Sequence, residues 1–380
     1  MRQPRYYFHL SHGHSVRLRA DDRPGADHWP GQLFTALSAE VARLAGADRR
    51  VPVGHHDGLV RPLADRKAAL AGALSGTDVF VALYAPGYFN KSWPLRERAS
   101  FVSRYADPAM GERFLLPVHW VPWPPGEHDS ERVAALRLGA GIPEYAEEGL
   151  QAMSRLSLYR RQYRTLVRRL AYRIVTLAAD APRPAPLAAA IDDVSAGPAA
   201  AGAIVFTVAV LAPTRLDLPP GRSAASYGPA ARAWSPYRDL RRFPVAAYVA
   251  DVADRLGQPV RVVDRPADMF ALGQGAALVL IDPWAAATPD GLERLSALTG
   301  RIPEWASVLL LADRSDPEYA ARGATLHATV ADTLVTAGIA RGRITLLRDA
   351  DRLVERAPAL VDQACAAYRR NAPERRTLEP

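Results

Sequence analysis

The chain has 380 residues, 49% hydrophobic and 23% charged, which is enough apolar material for two cores and too much for a disordered polymer. Its single cysteine, Cys365, excludes an internal disulfide and a cysteine metal cage. No run approaches the ~20 apolar residues of a membrane span, and the first residues lack the apolar core of a secretion signal, so the reading is cytoplasmic.

The net charge of +8 is unevenly spread: residues 1–190 hold 26 Arg and Lys against 18 Asp and Glu, whereas residues 191–380 hold 22 of each. A basic balance permits attraction to anionic surfaces but does not by itself select a nucleic acid as partner.

In chain order the apolar periodicities predict a strand over 6–10 and a helix over 29–45, with Leu33, Leu37, Val41 and Leu44 at helical spacing. A short strand over 51–53 and a helix over 65–74 follow. The strongest strand signal is DVFVALY, residues 78–84, stopped by Pro86 and Gly87. A strand over 114–120, a proline-rich loop and a long helix over 154–179 close this half. Residues 180–202, rich in Pro, Ala and Gly, read as a linker. Beyond it come strands over 203–211, 260–263, 277–281, 307–311 and 343–347. Helices over 236–256, 290–299, 326–337 and 350–369 alternate with them, and a tail, 372–380, is expected to fray. Strands alternating with helices predict parallel sheets covered on both faces. The expected fold is therefore α/β: two flavodoxin-like doubly wound parallel-sheet domains, 1–179 and 203–380.

Chemistry concentrates between residues 74 and 101. A buried strand runs into a loop holding Pro86, Tyr88, Asn90 and Ser92, and Trp93 and Glu97 then stand four apart, on one face of the helix they open. This pattern resembles the TIR (Toll/interleukin-1 receptor) family, in which an apolar strand leads through an S-P-x-Y/F type turn, here Ala85-Pro86-Gly87-Tyr88, into a W-x-x-x-E helix. The opening Phe8-His9-Leu10-Ser11-His12 resembles that family's aromatic-rich first strand, with His9 where an aromatic or aliphatic residue is usual. Residues 53–63, with Asp57, fall where TIR domains place a strand and a loop used in ligand contact and self-assembly. The resemblance spans about residues 5–178. With the two-domain layout, the chain is also similar to the TIR-like proteins of actinobacterial FxSxx-COOH peptide-modification clusters.

The resemblance implies NAD, or a related nucleotide, as substrate rather than cofactor, with Glu97 contacting the ribose beside nicotinamide. Breaking that N-glycosidic bond develops oxocarbenium charge, which a positioned carboxylate stabilises. Phe8, Ser11, His12, Asp57 and Trp93 would line the same crevice, and self-association is implied as well. The alternative is a solvated Glu97 paired with Lys91, Arg96 or Arg98. The domain is then a non-catalytic module binding partner proteins or a peptide substrate in a modification or signalling pathway. No G-x-G-x-x-G or P-loop fingerprint opens a helix, so neither a Rossmann dehydrogenase nor a P-loop NTPase is indicated.

Eight of the nine histidines fall in the first 128 residues. His9, His12 and His14 would meet His55 and His56 if the first two strands are neighbours; histidines lining a polar crevice are expected there rather than a metal site. Arg160, Arg161, Arg164 and Arg168 lie in a stretch without acids, opposite an apolar stripe. They read either as the solvated face of a closing helix or as a docking face for an acidic peptide, an anionic membrane or a nucleic acid. In the second half Asp264, Asp282 and Asp313 each follow a predicted strand, where helix caps and loop formers are expected rather than a magnesium site.

Overall fold

The computed structural model describes residues 5–14, 28–48, 51–123, 126, 128–182, 186–194, 205–237 and 243–371. The predicted frayed tail, linker residues 183–185 and 195–202, strand residues 203–204 and helix residues 238–242 lie outside them. The chain forms two compact units that divide near residue 200. No helix among the described residues is long and apolar enough to cross a membrane.

The first unit runs β1 (Tyr6–His12), α1 (His28–Ala45), β2 (Gly54–His55), α2 (Arg66–Ser75), β3 (Thr77–Tyr84) and α3 (Ser92–Val102). It continues with α4 (Pro108–Glu112), β4 (Leu115–His119), α5 (Asp129–Leu136), α6 (Pro143–Arg155) and α7 (Arg160–Asp180). The four strands are parallel in the order β2-β1-β3-β4. Every residue of β3 is buried, which explains its unbroken apolar run: Val79, Val81 and Leu83 pack towards α1 and α7, while Phe80, Ala82 and Tyr84 pack towards α2 and α3. Leu166, Leu170 and Ile174, the apolar stripe of α7, share the first core with Leu33, Leu37 and Val41 of α1.

The second unit runs β5 (Phe206–Leu211), α8 (Val245–Arg255), β6 (Val260–Val263), β7 (Ala277–Ile281), α9 (Pro289–Thr299), β8 (Ser307–Leu311), α10 (Pro317–Thr336), β9 (Ile344–Leu347) and α11 (Ala350–Asn371). Its five strands are parallel in the order β6-β5-β7-β8-β9. Both sheets are flanked by helices, and the flavodoxin-like α/β class holds for each unit.

Several elements depart from the predicted bounds for local reasons. The long helix predicted over 154–179 is two helices, because the chain turns extended at Leu156 between α6 and α7. Helices α5 and α6 occupy the stretch read as a loop. Within α6, Gly149 has a positive φ of 74° and lets the backbone close on Trp120, whose carbonyl oxygen would lie 2.6 Å from a Cβ there. Helix α10 starts at Pro317, nine residues before the predicted 326, with the Asp316 carboxylate accepting from Glu318 N at 3.1 Å.

Part of the predicted linker is built onto the first unit. Ser100 Oγ donates to Ala189 O at 2.6 Å, Arg104 Nε donates to Pro186 O at 3.1 Å, and Ile191 is fully buried in the α2–α3 core.

Candidate functional site

At the carboxyl ends of β1 and β3 the first unit gathers a buried polar cluster. This is the edge at which open α/β sheets hold ligands. Side chains alternate along β1, so His9 and Ser11 face α2 and α3 while Phe8 and Leu10 face α1 and α7. Glu97 lies in the middle of α3, and Trp93 sits one turn before it on the same face. The two elements meet where Ser11 Oγ donates to Glu97 Oε2 at 2.5 Å and Trp93 Nε1 donates to Glu97 Oε1 at 3.0 Å. The Tyr88 hydroxyl lies 3.2 Å from Ser11 Oγ and donates to the Pro94 carbonyl oxygen at 3.4 Å.

Each oxygen of the carboxylate thus accepts a hydrogen bond, and Glu97 is 1% exposed. Trp93, Tyr88 and His9 are fully buried around it. Burial pushes the Tyr88 phenol well above its ordinary range, which keeps it a neutral donor. The expectation of a solvated Glu97 paired with a neighbouring arginine is corrected. Arg96 instead lies 3.5 Å from Asp192 and over the Trp93 ring, and Arg98 faces Glu112 and Glu131.

His9, read in the sequence as a departure from the usual aromatic or aliphatic residue, does an aromatic residue's packing. Its ring stacks between His55 and Phe80, with centroids 5.3 and 5.5 Å away. Its Nδ1 lies 3.2 Å from His55 Nδ1, while Nε2, sealed from solvent without a hydrogen-bond partner, points to Glu97 Oε2 at 3.7 Å. Burial pushes the His55 imidazole down to about 3 and, in the same way, that of His56 to about 4.

The remaining expected site residues divide. Asp57, buried after β2, pairs with His14 Nε2 at 2.9 Å, and its own carbonyl accepts from Arg66 at 2.5 Å; the His12 ring packs on His14 at 4.2 Å. They form a further group of polar side chains along the same edge. Phe8 is the clear correction: it is fully buried in the α1–α7 core, with its ring 5.6 Å from Phe34, because position 8 alternates away from Ser11. Residue-type reasoning overlooked the roles of Tyr88 and His9. The i, i+2 spacing of His9 and Ser11 was the available signal that both face the same layer as the W-x-x-x-E helix.

Arg160, Arg161, Arg164 and Arg168 are exposed along α7, and Arg168 approaches Glu40 at 4.0 Å. Just ahead of them Leu158 is 78% exposed and Leu156 50%.

At the carboxyl edge of the second sheet the aspartates are held by neighbouring groups. Asp282 Oδ1 accepts from Trp284 N at 3.0 Å and Oδ2 from Tyr227 OH at 2.6 Å, Asp313 accepts from Ser315 N at 2.8 Å, and Asp264 accepts from Arg232 N at 3.0 Å. Burial pushes the Asp282 carboxyl up to about 6. Arg222, buried beside this group, donates to Asp316, to Glu318 at 3.0 Å and to the Tyr227 hydroxyl at 2.8 Å. Among the described residues no three His, Cys, Asp or Glu converge as metal ligands.

No family model matches the chain, and no curated protein matches it in sequence.

Proposed function

We propose that the chain is a TIR-like interaction module, an accessory protein that holds a partner protein or peptide of acidic character on the start of α7. The observation that carries this reading is the juxtaposition of exposed Leu156 and Leu158 with exposed Arg160, Arg161 and Arg164. Apolar anchors ringed by cations suit an amphipathic acidic segment: the leucines leave water on binding while the arginines steer and orient it. Titrating the full chain with an acidic Glu/Leu peptide tests this. Binding should weaken as salt rises, and changing the four arginines (160, 161, 164 and 168) to alanine should weaken it at least about tenfold. Equal binding of the uncharged Gln/Leu counterpart would count against the reading.

A second reading, cleavage of the N-glycosidic bond of NAD with Glu97 as the key carboxylate, draws support from one observation. Ser11, Trp93 and Glu97 meet at the carboxyl edge of the sheet, as the TIR resemblance implies. This reading requires the ribose to reach a carboxylate that is 1% exposed and has both oxygens engaged. The two readings part on that access.

A further inference from the structure

The second unit holds a cavity of about 320 Å³ beside the carboxyl end of β5, within the range of small-ligand sites. Val210 and Leu211 of β5, Met269, and Leu298 of α9 give it a predominantly apolar interior. Three arginines also line it: Arg265 from the segment after β6, Arg294 from α9, and Arg301 from the turn that follows α9. Against them stands one carboxylate, Asp264, which already accepts from Arg232 N at 3.0 Å.

The arginines are unequally engaged. Arg301 Nη1 donates to Pro266 O at 2.7 Å, and Arg294 Nη2 pairs with Asp217 at 2.7 Å. Arg294 Nε, however, is shut off from solvent and has no hydrogen-bond partner. A buried donor on a cation left without an acceptor is costly, and native folds rarely keep one. Arg294 itself lines the cavity, so a turn of its guanidinium would bring this donor to an anionic oxygen there.

We propose that this cavity binds a small monoanion with an apolar body, of which a medium-chain carboxylate is the simplest case. The apolar body lies between β5 and α9, and the carboxylate accepts from Arg294 with Arg265 and Arg301 around it. Neutral and cationic analogues are disfavoured, since neither supplies the charged acceptor that three guanidinium groups select. This site is independent of the partner face on α7.

Calorimetric titration of the full chain with octanoate tests the proposal. Octanoate should saturate one site, and octanol should bind at least about tenfold more weakly, the usual effect of losing a charge-assisted hydrogen bond. Arg294→Gln and, separately, Arg265→Gln should each weaken octanoate while leaving octanol unchanged. Ala297→Trp, at an exposed position of α9 that lines the cavity, should block both ligands without unfolding the helix. Failure of octanoate to saturate overturns the proposal, as does equal affinity for octanol. Inorganic phosphate binding as tightly as octanoate would mark a bare anion site and overturn it too.

Discussion

Glu97 accepts from Ser11 through one oxygen and from Trp93 through the other, which ties β1 to α3 at the carboxyl edge of the sheet. Its burial, at 1% exposed, keeps a ribose hydroxyl from the lone pairs that remain. His55 contributes differently, because burial pushes its imidazole from the ordinary 6.5 down to about 3, so the fold holds it neutral. The unfolded chain takes up that proton first. The stabilisation is therefore fully present above about pH 6.5 and is lost as pH falls towards 3, with a slope of up to ~1.4 kcal/mol per pH unit. His55→Gln should flatten this acid limb. Hydrogen exchange of the β1 and β3 amides between pH 7 and 4 reads it, and an unchanged pH profile in the variant would show that His55 is not the group responsible.

Among elements, β1 decides which residues share the site. Its period of two sends Ser11 and His9 to the α3 side and Phe8 to the opposite core, so residues adjacent in an apparent motif end on different faces. Helix α6 depends on a single backbone position. At Gly149, φ 74° and ψ 163° suit only glycine, and Trp120 O stands where a Cβ would go. Gly149→Ala is expected to cost ~2 kcal/mol or more in denaturant unfolding, whereas a loss near zero would mean that the turn relaxes freely. The buried strands were legible because β3, β5, β7 and β8 are nearly continuous apolar runs that admit no other packing. The two-residue β2 was not, since Gly54–His55 carries no strand pattern and is held by register with Phe8 and His9. Helices α5 and α6 were hidden by the prolines before them and by Gly149, which read as loop formers. The start of α10 carried a usable signal, an Asp-Pro pair at 316–317, but its first turns lack an apolar stripe.

For the whole molecule, alternating strands and helices sufficed for two parallel α/β units, because each unit repeats the same local pattern around its own sheet. Strand order was beyond the sequence: nothing local shows that β1 lies between β2 and β3, and that neighbourhood alone brings Ser11 to Glu97 and His9 to His55. The pairing of Trp93 with Glu97 could be read from spacing within one helix; the Tyr88 hydroxyl and the sealing of the cluster depend on tertiary packing. The linker was legible by composition only. Residues 186–191 look like spacer, yet Ile191 and the backbone bonds from Ser100 and Arg104 make them part of the first unit.

The proposed reading of the first unit as an interaction module takes Glu97, 1% exposed, as a structural carboxylate and not a catalytic one. It is tested most directly by incubating the full-length protein, dilute and concentrated, with NAD and following nicotinamide release beside a Glu97→Gln control. The account predicts no release above the control at either concentration. Release by the wild-type chain that the substitution abolishes would contradict it and make Glu97 a catalytic residue.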